Sequence, residues 1–388
     1  MIYWQDMVRF VRTISRLHLE PDHRRFIVDF CKKEVPWEPL ILLAESEGVD
    51  GLLYHHLSRF DEIKIPESAK NGLAKRYKKH QRNQAAILKE AERISQKLEQ
   101  NGLWAIALQG VSLLPLYTTA GLRPMGDIDL LIRPDQYSHV LALLGEVGFH
   151  ISHSAYPNNL IKGTLWLDIH THILNLDRIG SRRHIFPKDL SGLWDRAQPL
   201  FSSSAGLLKP DPIDNFVLLS AHVLKHSYSR MIWLVDLNES LRGIVSLPGG
   251  QKALIRRIRV WKQEKIVLYG LTVLKGILGL KIPDRVGDAL NVKPLGPVEK
   301  HLLRLRIRGL NRSEYYVLLS FLAIRGILGK MQFLYESMFP KDEIMAQIYL
   351  TTPLRSRFYQ FTIRIIQTLV LIGNGLRQAF MYGPFKRG

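Results

Sequence analysis

Residues 121–132 read GLRPMGDIDLLI, a Gly- and Pro-containing turn that runs straight into an apolar stretch headed by two aspartates, Asp127 and Asp129. The apolar stretch has the length and bounding turn of a β-strand. Side chains two apart on a strand project from the same face, so the two carboxylates stand side by side at one edge of a sheet. Like charges that close repel unless a cation lies between them. A divalent metal is the simplest compensation, and paired carboxylates holding a metal point to phosphate chemistry.

The texture of the chain changes on either side of this strand. ILLAESEGVDGLLYHHL and AAILKEAERISQKLEQNGL have helical apolar spacing, the second with Gly102 placed as its stop. From there to about Leu200 come short strand-like runs, LWAIAL (103–108), DIDLLI (127–132) and GTLWLDIHTHI (163–173), with DQYSHVLALLGEVGF reading as a helix between the last two. SSSAG at 202–206 and the prolines Pro210 and Pro212 mark a boundary, after which DNFVLLSAHVLKHSYSRMIWLVDLNESL and two further long stretches return to helical patterns. The expected fold class is α+β: a small mixed sheet packed on helices, with helical N-terminal and C-terminal regions. The expected units are 1–95, 96–205 and 206–388.

At 388 residues and 46% hydrophobic the chain has material for two or three cores. One cysteine, Cys31, excludes an internal disulfide framework; with no visible signal peptide, this fits a reducing cytosol. The net charge of +19 is unevenly placed: residues 1–100 hold 18 Lys/Arg against 15 Asp/Glu, residues 101–250 hold 12 against 12, and residues 251–388 hold 24 against 8. A basic last third beside a neutral middle leads one to expect an anionic partner at 251–388. The longest apolar run, IIQTLVLIGNGL (365–376), is too short to span a bilayer and reads as a buried or interfacial helix, so the expected location is cytoplasmic, with a peripheral membrane association left open. There is no GxxxxGK loop and no GxSxG elbow, which removes the P-loop and α/β-hydrolase readings.

LWAIALQGVSLLPLYTTAGLRPMGDIDLLI can be read as one device. A buried strand ends at Gly110, where a missing Cβ permits close backbone approach, and Ser112 opens a helix whose free N–H groups and hydroxyl suit a phosphate. The next strand brings Asp127 and Asp129 opposite. A third carboxylate comes from WLDIH, where Asp168 alternates with His170. Three acids around two Mg²⁺ ions can activate a hydroxyl and neutralise a leaving pyrophosphate. Arg123, four residues before Asp127, is a candidate partner for a phosphate oxygen.

The ordered set Gly110-x-Ser112, Asp127-Ile-Asp129, Asp168-Ile-His170 resembles the DNA polymerase β-like nucleotidyltransferase superfamily, and most of all a bacterial branch of uncharacterised nucleotidyltransferases. LQGVSLLPLY, RPMGDIDLLI, WLDIH, GLWDRA and AHVLKHSYSRMIWLVDL carry the resemblance over about residues 85–245, and MFPKDE matches more faintly. The resemblance implies a small mixed sheet and a helical domain that closes over a nucleotide. It further implies that Asp127 and Asp129 ligate both metals, that Asp168 completes the site and helps activate the acceptor, and that Gly110 and Ser112 lie along the triphosphate. In this chain the usual adjacent Gly-Ser or Gly-Gly is split by Val111.

His222, His226 and Arg230, spaced by four on an expected helix, form a face suited to nucleotide phosphate or metal; without the Glu of HExxH a zinc site is disfavoured. His170 is expected to orient Asp168 or touch the acceptor, and His172 shares its strand face. Trp233 and Asp236 are read as packing and capping residues. RSRFYQFTIR (355–364) mixes aromatics and cations, but no nucleic-acid module accompanies it. The functional expectation is a Mg²⁺-dependent enzyme that moves an NMP group from an NTP to an acceptor, a small molecule, peptide or glycan ahead of nucleic acid. The alternative is a protein of the same fold without turnover, whose basic C-terminal lobe holds an acidic peptide, glycan or nucleic acid.

Overall fold

The computed structural model describes residues 2–341 except 154–155, 176–178, 188, 191, 291–293 and 310–313, and beyond them residues 344, 362–367, 369–370 and 373. Asp342 and Glu343 of MFPKDE, residues 355–361 of the RSRFYQFTIR segment, and 368, 371–372 and 374–376 of the apolar run lie outside the described residues. The fold is α+β. Five helices lead: α1 (Trp4–Ile14), α2 (Pro21–Cys31), α3 (Trp37–Ser46), α4 (Asp50–Leu57) and the long α5 (Glu67–Gln100). A sheet region follows, with β1 (Ala105–Leu108), β2 (Asp127–Leu131), α6 (Tyr137–Glu146), β3 (His150–Ile151), β4 (Asn159–Lys162), β5 (Leu165–His170), α7 (Leu193–Arg196), β6 (Gln198–Pro199) and β7 (Leu207–Lys209). After the sheet region come α8 (Pro212–Lys225), α9 (Met231–Ser246), α10 (Gly250–Val260), α11 (Glu264–Leu278), α12 (Asp284–Leu290), α13 (Pro297–Ile307), α14 (Glu314–Ala323) and α15 (Ile327–Met338).

The strands form one mixed sheet in the order β3-β4-β5-β2-β1-β7-β6, with β2 parallel to β5 and antiparallel to β1. Alternation along the central strands assigns each face its cover. Ala105, Ala107, Ile128, Leu130, Leu167 and Ile169 pack with Ile87, Ala91, Ile94 and Leu98 of α5 and with α6. That spacing of three and four is what turns one stripe of a helix toward a sheet. The alternate residues Ile106, Leu108 and Leu131 belong to the other core, shared with the C-terminal helices. Asp127, Asp129, Asp168 and His170 alternate in step with this second set, so they face α8 and α9 rather than α5.

The N-terminal helices are built into that second core: Phe10 and Ile14 of α1, Leu52 of α4, Leu234 of α9, Leu271 of α11 and Leu303 of α13 form one buried cluster. Arg12 donates to the Ile307 carbonyl (2.6 Å) and Arg16 to the Leu278 carbonyl (2.9 Å), satisfying the C-terminal carbonyls of α13 and α11. Two expected boundaries are crossed by regular structure. α5 runs through residue 95, and β7 beyond residue 205 pairs in parallel with β1. The SSSAG stretch is pinned by Ser95, whose hydroxyl accepts from Ser204 Oγ (2.6 Å) and from the Leu207 amide (2.8 Å). There Gly206 lies so close to α5 that an added Cβ would stand 2.0 Å from the Ser95 carbonyl oxygen.

Continuous helical spacing in AHVLKHSYSRMIW hides a break. α8 ends at Lys225 and α9 begins at Met231, because Ser227 (φ 54°) and Tyr228 (φ 56°) turn left-handed between them. Three ties hold the turn: the Tyr228 amide donates to the Val223 carbonyl (2.8 Å), Arg306 Nε to the Tyr228 carbonyl (2.7 Å), and the Met231 amide to Glu47 Oε2 (2.7 Å). Among the described residues no helix is long and apolar enough to cross a membrane.

Candidate active site

The strand register builds the acidic group. β2 and β5 run parallel with Asp129 opposite Asp168, and β1 places Leu108 on the other side of Asp129. Ligand atoms of Asp129, Asp168 and His170 all lie within 4.8 Å of one another, and His170 Nε2 meets Asp129 Oδ1 at 3.0 Å. The gathered triad is thus Asp129, Asp168 and His170. Asp127 stands outside it, exposed at the start of β2 opposite Trp166.

Asp127 remains electrostatically part of the group. Although its residue surface is open, desolvation by the surrounding protein and then the charges of Asp129 and Asp168 push its carboxyl up to about 6, against the pull of Arg123 and His170. Asp168 is also raised, by desolvation and by Asp129, while His170 and Lys225 hold it down. Carboxylates that repel in this way favour a cation between them. Hard oxygen donors in this number suit Mg²⁺, which takes one or two carboxylates and leaves its other positions to phosphate and water. Asp129 and Asp168 therefore fit the ion, with His170 fixing the Asp129 carboxylate.

The β1 end of the site differs from its expected form. Ser112 does not open a helix: it lies within a 3₁₀ segment, Gln109–Leu116, buried, with its hydroxyl donating to the Gln109 carbonyl at 2.8 Å. The turn is made by Gln109, a non-glycine residue at φ 49°, a backbone region that costs about 1–3 kcal/mol and concentrates at functional sites. Gly110 sits beside the start of β2, where an added Cβ would be 3.8 Å from the Asp127 carbonyl oxygen and 3.7 Å from Met125 Cε. That is ordinary contact, so no close protein backbone demands glycine here.

Arg123 is not available to a phosphate. Its guanidinium is buried and bidentate on Asp236, with Nε–Oδ1 and Nη2–Oδ2 both 2.9 Å, and Tyr117 donates its hydroxyl to the same carboxylate at 2.6 Å. Burial alone would lower the guanidinium pKa; Asp236 more than offsets this and raises it. The pair ties the loop before β2 to α9, directly behind Asp127. Asp236 is accordingly more than a packing residue.

His222 and His226 are brought to the site side of α8, but Arg230 is not. The two imidazoles cluster with Trp233 in tilted and edge-on contacts, at ring separations of 4.6 Å for His222–His226, 5.4 Å for His222–Trp233 and 4.8 Å for His226–Trp233. Arg230, beyond the helix break, lies over the other side of this cluster, 5.7 Å from the Trp233 ring and against Gly48. Desolvation drives His222 well below the usual imidazole range, helped by His226 and Lys225, and lowers His226 to about 4. Burial thus favours the neutral form of both rings where no anion lies beside them. A cleft lined by Leu108, Gln109, His170, Leu219, His222 and Lys225 opens between the sheet and α8. Lys225, Gln109, Tyr117 and Asp236 were not readable as site residues. The left-handed backbone reveals Gln109, the pairings across more than 100 residues reveal Tyr117 and Asp236, and the cleft lining reveals Lys225.

The site is thus a set of strand-borne carboxylates on the sheet face turned to α8 and its cleft. A family model described as uncharacterised nucleotidyltransferase matches residues 33–279, and the chain belongs to that family. No curated protein and no solved structure matches it.

Proposed function

We propose that the protein is a Mg²⁺-dependent nucleotidyltransferase that moves an NMP group from an NTP to a hydroxyl or phosphate of its acceptor. The observation that carries this reading is the register that sets Asp129 opposite Asp168 with Asp127 at the strand start, on the sheet face turned to the cleft. In the reaction the acceptor oxygen bonds to the α-phosphorus, the bond from that phosphorus to the β-bridging oxygen breaks, and pyrophosphate leaves. Asp127, Asp129 and Asp168 would hold Mg²⁺, which when bound neutralises charge on the phosphates and the leaving group. Asp168 would take the proton of an acceptor hydroxyl. The Gly110 amide, which precedes the first i→i−3 bond of the 3₁₀ segment, lies along the triphosphate. His170 orients Asp129; His222 and His226 wall the cleft; Arg123 positions the loop behind Asp127.

Transfer of label from α-labelled NTPs into a cell extract tests the reading. Label should enter an acceptor with the wild type and Mg²⁺ and fall at least about 100-fold with Asp129→Asn or Asp168→Asn. Equal labelling by these variants rejects it. A second reading, the same fold without turnover, is favoured by the Val111 interruption and by the inward-bonded Ser112 hydroxyl. Repeated turnover on any acceptor excludes it.

A further inference from the structure

The N-terminal half of α5 carries a charged face that the carboxylate site does not use. Residues 68–89 contain seven Lys/Arg and no Asp/Glu. Arg76 pairs with Glu45, and His80 with Asp50. Lys75, Lys78, Lys79 and Arg82 are exposed and have no ion-pair partner among the described residues. Lys75, Lys78 and Arg82 follow helical spacing along one face, and with Asn71, Ala74 and Gln81 they line a shallow recess of about 570 Å³. Unpaired cations packed this densely on a rigid helix repel one another, and an anion placed along them relieves that repulsion.

The face is continuous with the active-site loop. Gln84 Oε1 accepts from the Gly121 amide (2.8 Å), and Gln81 Nε2 donates to the Ala120 carbonyl (3.4 Å). Six residues later the chain reaches Asp127. By contrast, part of the basic charge after residue 250 is neutralised internally: Arg257 with Asp214, Lys265 with Glu299 and Arg325 with Glu264, while Arg306 is buried.

We propose that this α5 face binds the phosphate backbone of a nucleic-acid duplex. Lys75 to Arg82 covers about 10 Å of helix at 1.5 Å per residue, three steps of a strand at 3.4 Å each. Beside the cations the recess is lined by Asn71, Ala74 and Gln81, the amides of which suit phosphate contacts, and the face has no large exposed apolar group to enter a lipid surface or seat a peptide side chain. The docking stands apart from the transfer reaction; only the further step, that the docked duplex is the acceptor, rests on the proposed function.

The test is fluorescence anisotropy of a labelled 20-base-pair RNA duplex with the full chain, without NTP or metal, at 50 and 200 mM salt. Three phosphate contacts imply about 40-fold weaker binding at the higher salt. Lys75→Gln/Lys78→Gln/Arg82→Gln should abolish most of that dependence while leaving Mg²⁺-dependent NTP binding and the melting temperature unchanged, and Lys78→Glu alone should weaken binding in the same direction. Undetectable duplex binding at 50 mM salt, unchanged binding by the triple variant, or equal competition by polyglutamate or by anionic vesicles at matched charge each overturns the proposal.

Discussion

Replacing Asp236 by asparagine removes one charge from a carboxylate that receives two hydrogen bonds from Arg123 at 2.9 Å and one from Tyr117 at 2.6 Å. Arg123 keeps only a weak alternative, the Pro124 carbonyl at 3.4 Å, and with 6% of its surface exposed it cannot reach water without moving the loop before β2. Breaking a buried pair from one side costs about 3–5 kcal/mol because the remaining charge is left uncompensated. Asparagine still offers Tyr117 a carbonyl oxygen, which puts Asp236→Asn at the lower end, about 3 kcal/mol. Removing both charges, in Arg123→Met/Asp236→Leu, leaves no orphan ion, and such replacements are often close to neutral. A double-mutant cycle by urea titration on Arg123→Met, Asp236→Leu and their combination should therefore return a coupling close to the sum of the two single losses, and the Asp236→Asn midpoint should be lower by about 1 M at a slope near 3 kcal/mol/M. Additive single and double variants, or an Asp236→Asn midpoint equal to the wild type, would show that the pair does not hold the loop to α9.

His56 is buried, its Nε2 2.8 Å from the Arg16 carbonyl oxygen, and desolvation first of all lowers its pKa from 6.5 to about 4. The unfolded chain then takes up a proton that the folded chain cannot, so stability is complete above about pH 6.5 and falls as pH drops toward 4. The His56 share is ~2 kcal/mol between pH 7.5 and 5, and His56→Gln should remove that share from a stability–pH profile; an unchanged profile refutes the assignment. Gly206→Ala would drive a Cβ to 2.0 Å from the Ser95 carbonyl oxygen, so a loss above about 4 kcal/mol or insoluble protein is expected, and normal thermal unfolding would contradict the packing of β7 on α5. Gly110→Ala meets only ordinary contacts, so it should fold within about 1 kcal/mol of the wild type yet weaken NTP binding; unaltered NTP affinity would remove Gly110 from the triphosphate path. His170→Ala should weaken cation affinity about 10–100-fold in a Mn²⁺ titration, and an unaffected affinity would leave His170 a purely structural role.

Where local spacing decides the structure, the sequence was readable. The three strands that bear or flank the carboxylates, α6 and the stop of α5 at Gly102 follow from period-two and helical patterns with turn residues at their ends. The short strands β3, β4, β6 and β7 were not readable, because their two to four residues lie in no apolar run of strand length and form strands through pairing with a neighbour. The helix break at Ser227 and Tyr228 was hidden because the apolar spacing runs on through it, and contacts from Glu47 and Arg306 decide it from far along the chain. Arg123 shows the same limit at the site. Its spacing from Asp127 suits a phosphate contact, but Asp236, 113 residues away, claims the guanidinium. Likewise, the replacement of Asp127 by His170 in the tight triad depends on the register of β2 against β5.

Titration calorimetry of the four NTPs with and without Mg²⁺, on the wild type and on Asp127→Ala/Asp129→Ala, tests the central claim most directly because it needs no acceptor. Binding of at least one NTP that requires Mg²⁺ and disappears in the double variant is the predicted result, and it would locate the nucleotide at the β2 carboxylates. Failure of the wild type to bind any NTP, or binding that survives in the double variant, would contradict the account.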